Sequence, residues 1–81
     1  MSNTERPLSV IANEIQQDWK NVYFGAVPYL NALKELNSID DNFYEDTAES
    51  VIIYFLGNAK AWRGETARRI KIELQNLINN Q

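Results

Sequence analysis

The chain has 81 residues, a hydrophobic fraction of 44% and a formal net charge of −3, which together predict one small globular domain. It contains no cysteine and no histidine, which excludes disulfides, thiolate metal sites and histidine acting as a general base or metal ligand. The longest strongly apolar run, VIIYFL at 51–56, is far shorter than the roughly 20 residues that span a bilayer. With the lack of cysteine, this predicts a soluble, cytoplasmic protein without a membrane segment.

Charge is unevenly distributed along the chain. Acidic and basic residues balance over residues 1–34, whereas residues 35–49 hold six acidic residues and no basic one. Residues 60–81 hold five basic residues against two acidic ones. The sequence therefore contains one acidic and one basic segment, each suited to a partner of opposite charge.

The N-terminal half predicts two helices. Residues 1–6 are polar and are expected to form a disordered tail, and residues 7–81 a single α-helical domain. A first helix is expected over residues 7–20, because proline suits the first turn and apolar residues recur every three or four positions. A second helix is expected over residues 28–37, again with proline in the first turn and with three leucines on one face.

Two connections flank the second helix. The first, NVYFGA at 21–26, has Gly25 as its flexible point. The aromatic residues near it are most simply core packing, although tyrosines at a joint also suit an interaction surface; they are Trp19, Tyr23, Phe24 and Tyr29. The second connection, NSIDDNFYED at 37–46, is rich in residues that favour side-chain-to-backbone turns.

A third helix is expected to begin near Asp46 or Thr47, where Asp46 and Glu49 have the spacing of a capping box. The run VIIYFL is also typical of a strand. Apolar residues at three- and four-residue spacing continue from Ala48 to Trp62, however, and a strand would not sustain that pattern. Because the run is apolar nearly all round, this helix is predicted to be the central and most buried one.

The last predicted element is a fourth helix. Gly64 marks a joint, and the helix is expected over residues 65–78 with Ile70 and Leu74 at the centre of its core face. Four amphipathic helices with short connections predict an all-α fold, a compact bundle of about four short helices.

Basic residues at the start of the fourth helix form the first candidate site. Arg69 lies between Glu65 and Glu73 at i,i+4 spacing, so its charge is accounted for within the helix. Three basic residues remain as uncommitted positive charge, namely Arg63, Arg68 and Lys71. They form either a solvated helix face, a docking surface for an acidic protein or a nucleic-acid contact.

Nucleic-acid binding is the weakest of these three interpretations. DNA-binding proteins typically make roughly 6–10 phosphate contacts, more than three free bases on an acidic chain supply. A helix-turn-helix centred on Gly57 or Gly64 would also put polar residues at core positions. Ile72 is expected to point outward beside Arg68, either as an ordinary exposed residue or as the centre of a small partner-facing patch.

The acidic loop is the second candidate site, through Asp40, Asp41 and Glu45. It lacks the mid-loop glycine of an EF-hand, and Phe43 and Tyr44 interrupt the run of ligands, so calcium binding is not expected. The first interpretation is a loop closed by local turns, and the second is a surface for a basic partner. Inhibition of a nucleic-acid enzyme by acidic mimicry ranks below both.

Catalytic motifs are missing from the sequence. It has no GxSxG element, and its three glycines are too dispersed to cradle a phosphate. No pair of carboxylates is marked out by an apolar setting. We therefore expect no enzyme activity, no cofactor and no metal site.

Several short stretches carry a resemblance to a known group of proteins. They are RPLS at 6–9, DWKN at 18–21, PYL at 28–30, YFLGNA at 54–59 and WRGETARRIK at 62–71. In this combination the chain resembles small bacterial proteins of prophages, plasmids and other mobile elements, chiefly from Gram-positive bacteria. The resemblance covers about residues 6–74 and implies a mobile-element accessory protein, with no activity, cofactor or site residue to carry over.

Taken together, these patterns predict a non-enzymatic protein-binding module with an unknown protein partner, and the alternative is a nucleic-acid-binding protein using the basic flank of the last helix. The basic flank and the acidic loop would be opposite poles of its docking surfaces. They also suit head-to-tail pairing between copies, and the sequence alone leaves the oligomeric state open.

Overall fold

The fold is known from a computed structural model that describes residues 6–79. Within this range the chain forms four α-helices, which confirms the predicted all-α bundle, together with one very short β-hairpin. The helices are α1 (Leu8–Asp18), α2 (Val27–Leu33), α3 (Ala48–Gly57) and α4 (Glu65–Asn79). The hairpin strands are β1 (Asn42–Phe43) and β2 (Asp46–Thr47). None of the helices in this range is long and apolar enough to cross a membrane.

Helix α1 follows the predicted periodicity but ends two residues early. Pro7 stands at its N-terminal boundary, and its buried face consists of residues at helical spacing, namely Leu8, Ile11, Ala12 and Ile15. The helix ends at Asp18 because Trp19 is extended, with φ −94° and ψ 91°. The extended backbone accompanies a buried Trp19 indole in the core.

Helix α2 is shorter than predicted. A 3₁₀ helix, Phe24–Ala26, leads directly into Val27, and α2 ends at Leu33 rather than near Asn37. After Leu33 the chain tightens into i→i+3 bonds, because the Glu35 N–H donates to Ala32 and the Leu36 N–H donates to Leu33. Leu36 is still buried, so the leucine stripe packs as expected beyond the end of the helix.

A hairpin at residues 42–47, which the sequence did not predict, takes up the end of the predicted loop at 37–46. Asn42 pairs with Thr47 and Phe43 with Asp46 in antiparallel register, with Tyr44 at the first turn position. Tyr44 has φ +57°, in the left-handed region that two-residue hairpin turns require and that glycine or asparagine normally occupies. The strand pair was missed because tyrosine is an unusual residue for this conformation.

The N-terminus of α3 is capped by Thr47. Its hydroxyl oxygen accepts a hydrogen bond from the Ser50 N–H at 3.1 Å, so the predicted capping box of Asp46 with Glu49 is wrong. Because α3 begins at Ala48, the cap position falls on Thr47, and Asp46 lies one residue too early to cap the helix.

Helix α3 also ends earlier than predicted, at Gly57 rather than near Trp62. Tight turns continue the chain, with the Ala59 N–H donating to Leu56 and the Trp62 N–H donating to Ala59. Ala59 and Trp62 are nevertheless buried, so the apolar spacing identified core residues correctly although they lie outside the helix.

Helix α3 was predicted to be the central and most buried helix because VIIYFL is apolar nearly all round, but the helix is not buried on every side. Its inner face is buried through Val51, Ile52 and Phe55, but Ile53 is 49% exposed and Tyr54 is 53% exposed. One side of the helix therefore faces solvent.

Helix α4 matches its prediction to within one residue. Gly64 precedes it with φ +115°, which a side chain rarely adopts, so the joint requires glycine. The buried face follows helical spacing through Ala67, Ile70, Leu74 and Leu77.

Ion pairs connect the N-terminal segment, α1 and α4. Arg6 donates to Glu73 at 3.0 Å and 2.7 Å and lies 2.9 Å from Glu14, whereas Arg69 pairs with Glu14. The predicted pairing of Arg69 with Glu65 and Glu73 inside α4 is therefore wrong, because α1 brings Glu14 closer. Arg6, which the sequence placed in the tail, instead lies against two helices, and residues 1–5 lie outside the described range.

We expect the Thr47→Ala variant to lower the free energy of unfolding by about 1 kcal/mol, because α3 loses its side-chain cap. Asp46→Ala, the matched change one residue earlier, should have little effect. Urea denaturation of both variants checks this, and an equal loss from Asp46→Ala would show that the cap is assigned to the wrong residue.

The ion pairs predict a pH dependence of stability. The hydrogen bond from Arg69, and next that from Arg6, lower the pKa of the Glu14 carboxyl. The unfolded chain therefore binds the proton more readily, so Glu14 stabilises the fold above the usual glutamate pKa, and this contribution is lost as pH falls through the lowered value. We expect Glu14→Gln to be less stable than the wild type at neutral pH and equal to it in acid. Glu35→Gln, at an exposed position, should differ from the wild type by the same small amount at both pH values. Urea denaturation of the wild type and the two variants at neutral and acidic pH gives the comparison.

Candidate basic docking site

Three of the predicted basic residues meet around one surface pocket. The pocket has a volume of about 340 Å³ and lies where the joint at Gly64 leads into α4. We call it the basic pocket, and it is lined by Trp62, Arg63, Gly64, Ala67, Arg68 and Lys71. Residues 64, 67, 68 and 71 follow helical spacing, so one face of the first two turns of α4 borders the pocket.

The wall formed by Trp62 is fixed by a stack of aromatic rings. The Trp62 indole lies parallel to that of Trp19, with 5.7 Å between ring centroids and 7° between planes. Phe55 meets both rings edge-on. The Trp62 Nε1–H donates to the Asp18 carboxylate at 2.8 Å. Trp62 is only 2% exposed, so it holds the pocket in place and leaves no open ring face for a ligand to stack on.

Lys71 is partly committed within the fold, contrary to the prediction. Its Nζ donates to the Trp62 carbonyl oxygen at 2.7 Å and lies 5.9 Å from the centroid of the Trp62 ring. Burial lowers the pKa of the Lys71 ammonium, and the nearby positive charge of Arg63 lowers it further. An anion in the pocket would relieve that repulsion.

The electrostatic character of the basic pocket is uniformly positive. Its lining includes no carboxylate, and Arg63 and Arg68 are exposed without an ion pair among residues 6–79. The pocket also lies at the N-terminal end of α4, where the helix dipole favours negative charge. The arrangement is suited to holding an anionic group.

The remaining predicted site residues do not line this pocket. Ile72 is 54% exposed, as expected, but lies outside the lining. Asp40 is exposed, and Glu45 is exposed at the hairpin turn. Asp41 is engaged locally, since its carboxylate accepts from the N–H groups of Asn37 and Ser38, which lower its pKa.

Local turns therefore account for Asp41, as the first interpretation of the loop predicted. Over residues 6–79, no three acidic side chains come together in a way that would hold a metal ion.

A second surface surrounds the end of α3. Phe24 is 79% exposed, and its ring centroid lies 4.7 Å from that of Tyr23. Trp19 belongs to the core, and Tyr29 is half-buried against Tyr54. A pocket of about 310 Å³ lies beside Tyr23 and is lined by Tyr23, Gly57, Asn58, Lys60 and Ala61. The sequence indicated the tyrosines near the first joint, but it did not single out Tyr54.

No protein-family profile, curated protein or solved structure matches the chain. The resemblance to mobile-element proteins therefore stays a prediction.

The bond between Trp62 and Asp18 predicts a measurable coupling. Trp62→Phe keeps an aromatic ring but loses the N–H donor, and Asp18→Ala leaves that buried donor without its partner. In a double-mutant cycle we expect a coupling of about 1.5 kcal/mol, as for a hydrogen bond to a charged group. The free energies of unfolding of the four proteins, measured in urea, give the coupling. Additive effects would mean that the two residues act independently.

Proposed function

We propose that the chain is a non-enzymatic protein-binding module that accepts an acidic segment of its partner in the basic pocket. The observation that carries this proposal is the convergence of Arg63, Arg68 and Lys71 on one pocket whose lining contains no carboxylate. Like charges held together without counter-ions repel one another, so a bound carboxylate offsets a cost that the free protein bears.

The shape and surroundings of the pocket favour a protein side chain over a polyanion. A volume of about 340 Å³ accommodates one or two side chains. Two further arginines, Arg6 and Arg69, are occupied by ion pairs with Glu14 and Glu73 and do not extend the positive surface. A nucleic-acid backbone needs a longer track of cations.

The alternative function is nucleic-acid binding through the same residues. It is favoured by the exposure of Arg63 and Arg68 at the N-terminal end of α4, where the helix dipole also suits a phosphate. This alternative predicts binding to duplex or single strands that weakens steeply as salt rises.

The biological setting is proposed from the resemblance alone: a cytoplasmic accessory protein of a phage or another mobile element. In that setting, a small module without catalytic groups acts by contact with a protein of the cell or of the element itself.

Charge reversal at the pocket tests the proposed function. We expect Arg68→Glu to weaken capture of a protein partner from a lysate of the producing cell by at least about tenfold. Lys34→Glu makes the same change in net charge at the end of α2, outside the basic pocket, and should leave capture intact. Quantitative mass spectrometry of the proteins retained on each immobilised variant gives the comparison.

Two results would contradict the proposal. Equal loss of a retained protein from both variants would show a response to net charge alone. The alternative function would be favoured if the chain binds labelled duplex or single-stranded DNA in a salt-sensitive way and Arg68→Glu abolishes that binding. In that case the same variant would still capture every protein that the wild type captures.

A further inference from the structure

The exposed side of α3 is an apolar surface that the described fold leaves uncovered. Ile53 and Tyr54 lie on it with about half of each side chain exposed. Gly57 follows Ile53 by four residues and therefore extends the same face by one turn. Phe24 and Val27 add exposed apolar surface at the start of α2. We call the helical part, formed by Ser50, Ile53, Tyr54 and Gly57, the outer face of α3.

Gly57 has no role inside the folded chain that requires a glycine. A Cβ built at this position meets no atom within 4 Å, and its φ is not in the left-handed region. Glycine in a helix costs roughly 0.5–1 kcal/mol relative to alanine. A glycine on an exposed apolar face lets another backbone or a large side chain approach closely.

Charges at the two ends of the outer face are opposite. Glu49 lies in the first turn of α3, and Lys60 follows the C-terminus of the helix. Helix α3 ends at Gly57 and Lys60 lies in the turns that follow, so the two charges stand at opposite ends of the helix, and no ion pair joins them among residues 6–79. If a second α3 lies antiparallel on the first, Glu49 of each copy comes to the end of the partner helix that is followed by Lys60.

The same antiparallel alignment matches large residues with small ones. With the two-fold axis level with residue 55, Ile53 of one copy lies over Gly57 of the other, and the reverse contact follows from symmetry. The helix dipoles also run in opposite directions, which is favourable for side-by-side helices. We propose that the outer face of α3 is a homodimer interface in which two copies pack these helices antiparallel.

The size of this surface predicts a weak dimer. A stable interface buries about 800 Å² on each partner, which is more than a single ten-residue helix offers, so Phe24 and Val27 must contribute. Exposed ion pairs contribute less than about 1 kcal/mol each. Apolar burial therefore supplies the affinity, and the Glu49–Lys60 pairs select the antiparallel orientation over a parallel one.

Sedimentation of the purified chain over a wide concentration range tests the proposal. We expect a reversible monomer–dimer equilibrium that Ile53→Lys shifts fully to monomer. Val10→Lys, an identical charge gain at an exposed apolar residue of α1, should still dimerise. Glu49→Lys and Lys60→Glu should each weaken the dimer several-fold, and the double variant should recover most of that loss. Circular dichroism confirms that each variant remains folded.

Several outcomes would overturn the dimer. They are a wild-type chain that stays monomeric at the highest concentration, a dimer indifferent to Ile53→Lys, and a double charge swap no better than the single ones. Assembly that grows beyond the dimer and dissolves in salt would instead indicate head-to-tail pairing of the acidic loop with the basic pocket. Arg68→Glu should leave the dimer intact, so failure of this interface and failure of the proposed function are separate results.

Discussion

The contacts of Trp62 hold the molecule together at the point where three helices meet. Its ring stacks on Trp19, just after α1, and is met edge-on by Phe55 from α3. Its backbone carbonyl accepts from Lys71 of α4, and its indole N–H reaches Asp18 at the end of α1. A small domain buries a modest core, so two stacked indoles supply a large share of its apolar contact. The non-helical segment between α3 and α4 is held in one position as a result.

That position determines the geometry of the basic pocket. Arg63 directly follows Trp62, and the left-handed backbone at Gly64 turns the chain so that α4 begins beside it. Lys71 reaches back to the Trp62 carbonyl and closes the pocket from the second turn of the helix. The backbone positions of the three cations are thus set by the fold, which would reduce the entropy lost if the pocket binds an acidic group as proposed. The aromatic stack fixes Trp62, and Trp62 in turn keeps Arg63 and Lys71 close enough to repel each other.

Helical periodicity predicted burial better than it predicted element boundaries. The spacing through Ala59 and Trp62 identified core residues, yet both lie in tight turns after Gly57, because such turns also repeat about every three residues. Arg63 and Arg68 could be identified from the sequence, since neither had a local partner. The pairing of Arg69 with Glu14 could not, because it depends on how α1 packs on α4. The bond from Lys71 to a backbone carbonyl is equally non-local.

The small size of the domain explains why one side of α3 is exposed. A run as apolar as VIIYFL suits a helix surrounded by others, but residues 6–79 supply three other helices, and the fold fully buries only Val51, Ile52 and Phe55 of this run. A second copy would supply the missing layer and stabilise each chain by mass action. The basic pocket shares no residue with the outer face of α3. The proposed dimer would therefore present two pockets to one acidic partner, and weak single contacts would combine into a stronger one wherever the partner spans both.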